Sequence, residues 1–275
     1  MHFLQPGLFA ALFLAGSAVL RGDPEPAARP TENADPDQAV RRLLAHMDAA
    51  AQSTTTLSAD FTYTVASVKR QQLVVGHARL MKPNFARFTF SYIAEPAFPN
   101  LVAVDGEQAF TFTPAGFRPD RTFAPGPFDS ALGARQASGL APGGGKITAT
   151  KADPVGVDIR LWDAIPLQAF FQTRRALGNL YLRSSDDLWI EGTRELDGVV
   201  YTVLNHHFKK GNIAGGEKSE FDQRLYVAPD GRIHMYVLEF SSGGSRGVQI
   251  MKLTNIKINE PMTKESFAFT PPPEG

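Results

Sequence analysis

From Leu57 onward the chain alternates apolar and polar residues at every second position, in one segment after another. A period of two is what a strand with one buried face requires, so most of this chain has to become β-sheet. In residues 57–65, Leu57, Ala59, Phe61, Tyr63 and Val65 share one face, and Ser58, Asp60, Thr62 and Thr64 take the other. A second strand is expected over 71–81, ending at the turn signal Lys82-Pro83-Asn84. A third is expected over 85–93, with Phe88, Phe90 and Tyr92 on one face and Pro96 and Pro99 as breakers. Asp105-Gly106 between two apolar runs (101–104 and 108–113) reads as a β-hairpin. These links are too short for crossover helices, so the sheet should be an antiparallel meander.

Strands resume near Leu188 and continue over 199–208, 219–227, 232–240 and 249–258, with turns at Asp197-Gly198 and Asp230-Gly231. Residues 267–273 are expected to end the chain as an extended edge closed by prolines. Two helices interrupt the pattern. Asp35-Pro36 opens the first, with Ala39, Val40, Leu43, Leu44, Met47 and Ala51 at helical spacing. The second covers 162–177, with Leu167, Phe170 and Phe171 clustered and Gly178 beyond its end. Residues 114–160, rich in Pro, Gly, Ala and Ser, read as an irregular insertion. The expected fold is α+β: a large curved antiparallel sheet of roughly ten or eleven strands with helices over its apolar face.

The N-terminus reads as an export signal. Leu8 to Leu20 is a charge-free run of 13 residues. As a helix it would reach about 20 Å, short of a hydrocarbon core of about 30 Å. Gly16 and Ala18 suit cleavage after Ala18, although no Lys or Arg precedes the run, which leaves an uncleaved anchor as the alternative. The expected organisation is signal peptide 1–18, proline-rich linker 19–36 and a single domain over 37–275, placed in the periplasm as an exported protein.

The chemistry is narrowed mostly by exclusion. The 275 residues contain no cysteine, which excludes disulfides, thiol nucleophiles, zinc–thiolate sites and lipid attachment at an N-terminal cysteine. Twenty-eight basic residues balance 28 acidic ones, so nothing draws the chain to nucleic acid. Gly143-Gly144-Gly145-Lys146 looks like the tail of a P-loop, but Ile147 stands where the magnesium-binding hydroxyl belongs. His206 and His207 are neighbours on a strand and face opposite ways, so they cannot share a metal. His46, His77 and His234 are scattered, and Asp186-Asp187 read as turn residues. Neither a nucleophile elbow nor a metalloprotease helix motif occurs. No cofactor, metal site or catalytic residue is expected, and a hydrolase with a dispersed site ranks last among the readings.

What stands out is aromatic. Phe61, Tyr63, Phe88, Phe90, Tyr92, Phe110 and Phe112 come from successive strands, and the chain holds 20 Phe in all. Strands lie about 4.8 Å apart, so such side chains merge into one apolar patch when they share a face. Two short helices cannot fill a sheet of this size, and part of the patch should line a hollow for an apolar ligand.

The order of ADFTYTV, GHARLMKPNFARFTF, LVAVDGEQAFTFTP, RLYVAPDGRIHMYVLEF and FAFTPPP resembles the LolA-like periplasmic lipoprotein carriers. ELDGVVYTVLNHHF resembles related periplasmic proteins of unknown function. The resemblance implies an incomplete barrel with helices lidding a concave face that holds acyl chains of a lipoprotein or lipid in transit between membranes. It implies a monomer, with donor and acceptor proteins at the membranes as partners. The pocket would be lined by Phe61, Tyr63, Phe88, Phe90, Phe110 and Phe112, with Phe170 and Phe171 on the lid. Lys82 stands where the carriers have a lid-locking arginine, and lysine lacks the guanidinium's fork of donors. An envelope sensor or scaffold that binds a partner protein is the alternative. A chain of roughly fourteen carbons would gain on the order of 10 kcal/mol on burial, affinity enough without a catalytic group.

Overall fold

Each alternating run becomes a strand in the computed structural model, which describes residues 36–67, 70–93, 95–113, 137–140, 146–151, 165–171, 188–210, 219–242 and 245–269. All of them belong to one compact unit, Ala34–Gly275. The export signal, the linker and most of the 114–160 insertion lie outside the described residues. Helix α1 spans Pro36–Ser53, and strands β1 to β5 span Thr56–Ser67, Arg70–Met81, Phe85–Tyr92, Glu95–Asp105 and Gln108–Thr113. Strands β6 (Ala137–Leu140) and β7 (Lys146–Lys151) follow, then helix α2 (Ile165–Phe171). Strands β8 to β12 span Leu188–Leu196, Val199–Lys210, Ser219–Val227, Ile233–Ser242 and Ser245–Ile258. No described helix is long and apolar enough to cross a membrane.

The strands form one 12-stranded sheet in the order β6-β7-β5-β4-β3-β2-β1-β12-β11-β10-β9-β8. Every pairing is antiparallel. The first and last strands meet in the middle, Tyr63 opposite Met251, and the sheet stays open between β6 and β8. At the β8–β9 hairpin, Asp197 and Gly198 both have positive φ, 53° and 77°, the turn whose twist matches the strands it joins.

Three expectations change. Two strands emerge from the stretch expected to be irregular: Lys146–Lys151 pairs with β5, and Ala137–Leu140 pairs with it in turn. Strand β4 starts at Glu95 and so runs through Pro96 and Pro99. It can, because the β3–β4 register jumps there, from Tyr92↔Glu95 to Phe90↔Asn100, and a bulge asks no ladder hydrogen bond of a proline. Phe267, expected to open a C-terminal edge strand, instead closes a 3₁₀ turn, Lys264–Phe267, its ring 5.7 Å from that of Phe85 and fully buried, while 270–273 lie outside the described residues.

Two apolar clusters fill the concave face. One gathers Leu57, Phe61, Tyr63, Leu80, Phe88 and Phe90 from β1 to β3 with Met251 and Leu253 of β12. The other joins Leu204, Leu225, Ile233 and Tyr236 to Val40 and Met47 of α1. Helix α2 is the wedge between them: Leu167 and Phe170 belong to the first cluster and Ala169 to the second. Smaller clusters around Val203 and around Phe112 lie on the opposite face.

Packing in the first cluster is set by Gly76. A Cβ there would lie 2.5 Å from both the Phe61 ring and the Thr89 carbonyl and 2.7 Å from Phe90 Cβ. Because a backbone oxygen in a paired strand cannot retreat, Gly76→Val should destabilise the fold by about 3 kcal/mol or prevent folding. Urea unfolding measures this, and a variant as stable as the parent would contradict the packing.

Candidate functional site

The register delivers the aromatic wall in rows. Phe61 lies opposite Gly76, which lies opposite Phe90. One step along, Tyr63, Val74 and Tyr92 line up, and one step back Ala59, Ala78 and Phe88 do. Phe61, Tyr63, Phe88 and Phe90 are all buried in one cluster, and Phe170 of α2 closes onto them. The backbone of Phe171 ends α2, and its side chain lies outside what is described.

Phe110 and Phe112 do not join this wall. Val102 and Val104 face the concave cluster, and their partners on β5 are Thr111 and Ala109. Phe110 and Phe112 therefore point to the outer side, opposite Ala103 and Leu101. There Phe110 stacks on Phe269 at 5.1 Å, and Phe112 packs with Leu101 and Phe269. The parity was ambiguous in the sequence because Leu101, Val102, Ala103 and Val104 are all buried, so β4 has no polar face to mark its outside.

Lys82 stands where strand, helix and lid meet. Its Nζ donates to the carbonyl of Ala51 in the last turn of α1 and lies 5.3 Å from the centre of the Phe170 ring. The last carbonyls of a helix lack internal partners and carry partial negative charge, so cations gather there. The last turn of α1 has no basic residue of its own. The sheet supplies two instead: Lys82, and Arg232, which donates to Thr54 Oγ1 at 2.5 Å while Thr54 donates to the carbonyl of Ala50 at 2.7 Å. Arg232 also holds Asp230 at 2.9 Å. Sequence reading missed Arg232, whose only signal was its place just after the Asp230-Gly231 turn.

Beside this junction opens a small cleft lined by Met47, Leu57, Phe170, Arg232, Leu253 and Ile256 among others. The deeper hollow is filled by the side chains themselves.

The outer face of β1 carries a second arrangement. His77 Nδ1 lies 2.7 Å from Asp60 Oδ1, and His77 Nε2 lies 3.1 Å from Ser58 Oγ. Asn255 donates to the other Asp60 oxygen at 2.7 Å, and these two hydrogen bonds, Asn255 first, hold the carboxyl below its ordinary pKa. The connectivity is that of a serine-hydrolase relay, but catalysis also needs preorganised donors for an oxyanion. Ser58 is buried near the start of β1, paired on one side with Arg79 and on the other with Lys257. Its backbone is committed to the sheet rather than turned toward a substrate. The trio was invisible in sequence because it depends on the β1–β2 register. Among the described residues no group of three acidic or histidine side chains could hold a metal ion.

No protein-family model matches the chain, and no curated protein does. Among solved structures, the lipoprotein LppX of Mycobacterium tuberculosis is 14% identical with a TM-score of 0.39, covering 81% of this chain and 98% of its own. LprF of Mycobacterium bovis is 12% identical with a TM-score of 0.42, covering 84% and 97%. A LolA superfamily protein from Nitrosomonas europaea is 10% identical with a TM-score of 0.32, covering 83% and 97%. The chain is similar to these three proteins. Likeness at this level assigns no residue a role, and what the hollow does has to come from this chain's own side chains.

Burial, reinforced by the nearby Arg232, holds the Lys82 ammonium below its ordinary pKa of 10.5. The folded protein therefore gives up this proton at lower pH than the unfolded chain does. Between the two values the unfolded state binds more protons, so this site's contribution to stability grows as pH rises toward 10.5. Lys82→Met should flatten that part of the curve in urea midpoints taken from neutral pH upward. An unchanged slope would mean that Lys82 is not held as described.

Proposed function

We propose that this protein is an exported, periplasmic, non-enzymatic carrier that holds acyl chains of a lipid or lipoprotein against the concave face of its sheet. The observation that supports this most is the cover over the aromatic wall. The described part of helix α2 has 7 residues, and its Leu167 and Phe170 pack on a wall whose rings come from β1 and β3. Seven residues are far below the length at which a helix is stable by itself, so these turns keep their form through such contacts and can be displaced by a ligand that replaces them. The cleft beside Phe170 gives such a ligand its entry.

The cargo is apolar by the chemistry of the wall, because Phe61, Phe88, Phe90, Leu167 and Phe170 offer no hydrogen bond. Each buried methylene contributes about 0.8 kcal/mol, so a long chain offsets both its own ordering and the displacement of α2. The outer relay is proposed to be structural, a cross-strand pair bracing β1 against β2, rather than an active site.

Native mass spectrometry of the protein purified from the periplasm of an expressing bacterium tests the carrier reading. The expected result is a mass shift from bound acyl lipid that is lost on delipidation and regained on mixing with lipid. A protein that emerges empty and takes up no acyl probe would overturn it and favour a surface that binds a partner protein. A fluorophosphonate probe checks the second point: Ser58 is expected to stay unlabelled, and stoichiometric labelling abolished by Ser58→Ala would make the protein a hydrolase.

A further inference from the structure

The concave face is not apolar along its whole length. One row crosses six strands at the level of Val65. Gln72 pairs with Val65, Val65 with Gln249, Gln249 with Leu238, Leu238 with Gln223, and Gln223 with His206. Strand alternation puts them all inward. Gln72 shares its face with Val74, Ala78 and Leu80, Gln249 with Met251 and Leu253, and His206 with Leu204. Three amides and an imidazole thus form a polar belt beyond the aromatic rows. Eight residues of β1 separate Val65 from Leu57 at the cleft, about 27 Å along the strand.

The two halves of the belt differ. On the β9–β11 side both ends of the amide are used: Gln223 donates from Nε2 to the Tyr236 hydroxyl at 3.0 Å, and its Oε1 lies 3.0 Å from His206 Nδ1. On the β2–β12 side the amides are not paired in this way. Gln72 is 5% exposed, and neither its amide nitrogen nor its oxygen has a hydrogen-bond partner. Gln249 Oε1 is buried and accepts no hydrogen bond either. Buried amides are almost always paired, because an unpaired one forfeits its hydrogen bonds to water and gains nothing in return. Gln72 and Gln249 flank Val65 from either side, so their strands stand about 10 Å apart.

We infer that Gln72 and Gln249 form a binding subsite for the neutral polar junction of an acyl lipid, an ester beside a hydroxyl as in an acylglycerol. This rests on the carrier reading and names the kind of cargo. The amide nitrogen of Gln72 donates to the ester carbonyl, and the amide oxygens accept from the hydroxyl. The acyl chain then runs back over the Tyr63 and Phe61 rows toward α2. The belt contains no Lys, Arg, Asp or Glu, and its imidazole, His206, lies against Gln223 at the far end from Gln72, so a neutral junction fits between Gln72 and Gln249 better than a carboxylate does.

Competition between 1-monopalmitoylglycerol, palmitate and hexadecane for the delipidated full chain, read by native mass spectrometry, tests this. The wild type should prefer the acylglycerol over both others by about tenfold or more, the worth of one satisfied buried hydrogen bond. Gln72→Leu should bring the acylglycerol and hexadecane to parity while its melting temperature stays level or rises, because an unpaired amide has been replaced by an apolar group of similar size. Gln249→Leu should act in the same direction and stands in if the first variant does not fold. Equal binding of acylglycerol and hexadecane by the wild type, preference for palmitate, or an undiminished acylglycerol preference in the folded variants would overturn the inference and leave the carrier reading standing. Binding of none of the three lipids would bring down the carrier reading itself.

Discussion

A sheet with an apolar face has to cover that face. Among the described residues, twelve strands face two helices of 18 and 7 residues. Helix α1 lies over the β8–β11 side, through Val40 and Met47, and α2 lies beside it over β11 and β12, reaching the β1–β4 cluster through Leu167 and Phe170. That division gives the molecule a fixed cover and a small one. The fixed cover is anchored at its C-terminus, where Lys82 and Arg232 take the carbonyl and hydroxyl oxygens of 50–54 and His46 lies 3.1 Å from the carbonyl of Pro229. The small cover reaches the first cluster through Leu167 and Phe170 and the second through Ala169. On the carrier reading, ligand enters the hollow under the smaller cover.

Alternation made the sheet legible and left its two ambiguities in predictable places. Strand β1 could be read residue by residue because Asp60, Thr62 and Thr64 mark its outer face. Strand β4 could not, since both of its faces are apolar, and the error passed through the hairpin to Phe110 and Phe112. A one-residue uncertainty in phase moves every side chain to the other face. Strands β6 and β7 escaped for another reason. Ala137-Ser-Gly-Leu140 has no alternation and Lys146-Ile-Thr-Ala-Thr-Lys151 only a short one, so their strand character comes from the free edge of β5 rather than from their own composition. Contacts that depend on register across a link, such as His77 with Ser58 and Asp60, or Gln72 with Val65 and Gln249, were beyond any local pattern.

The same alternation lets β1 serve two purposes without conflict. Its odd positions, Leu57 to Val65, build the apolar wall, and its even positions, Ser58 and Asp60, tie β1 to His77 of β2 and Asn255 of β12. This polar brace sits directly behind the wall, across one thickness of backbone. It lies on the three strands that pair at Phe61 and braces the part of the sheet against which α2 packs. On the carrier reading the lid moves while the wall stays, a division of labour that lets a hollow be emptied and refilled without losing the fold.

Lysine at position 82 fits that division better than arginine would. Arginine's planar fork makes two parallel hydrogen bonds and holds its partner in one orientation. Arg232, a few ångströms away along the same helix end, shows what that achieves, bonding Asp230 through one nitrogen and Thr54 through the other. Lys82 makes a hydrogen bond to Ala51 and a cation–π contact with Phe170. The first is a tie to the fixed cover and the second a tie to the movable one. A cation–π contact is worth about 0.5–2 kcal/mol and demands no particular rotamer of the ammonium. On the carrier reading, withdrawal of Phe170 leaves Lys82 bonded to Ala51, and no buried donor is stranded. For Lys82, opening then costs one soft contact instead of a bidentate pair, on top of the apolar contacts of Leu167 and Phe170, and the hydrogen bonds that anchor α1 remain in place.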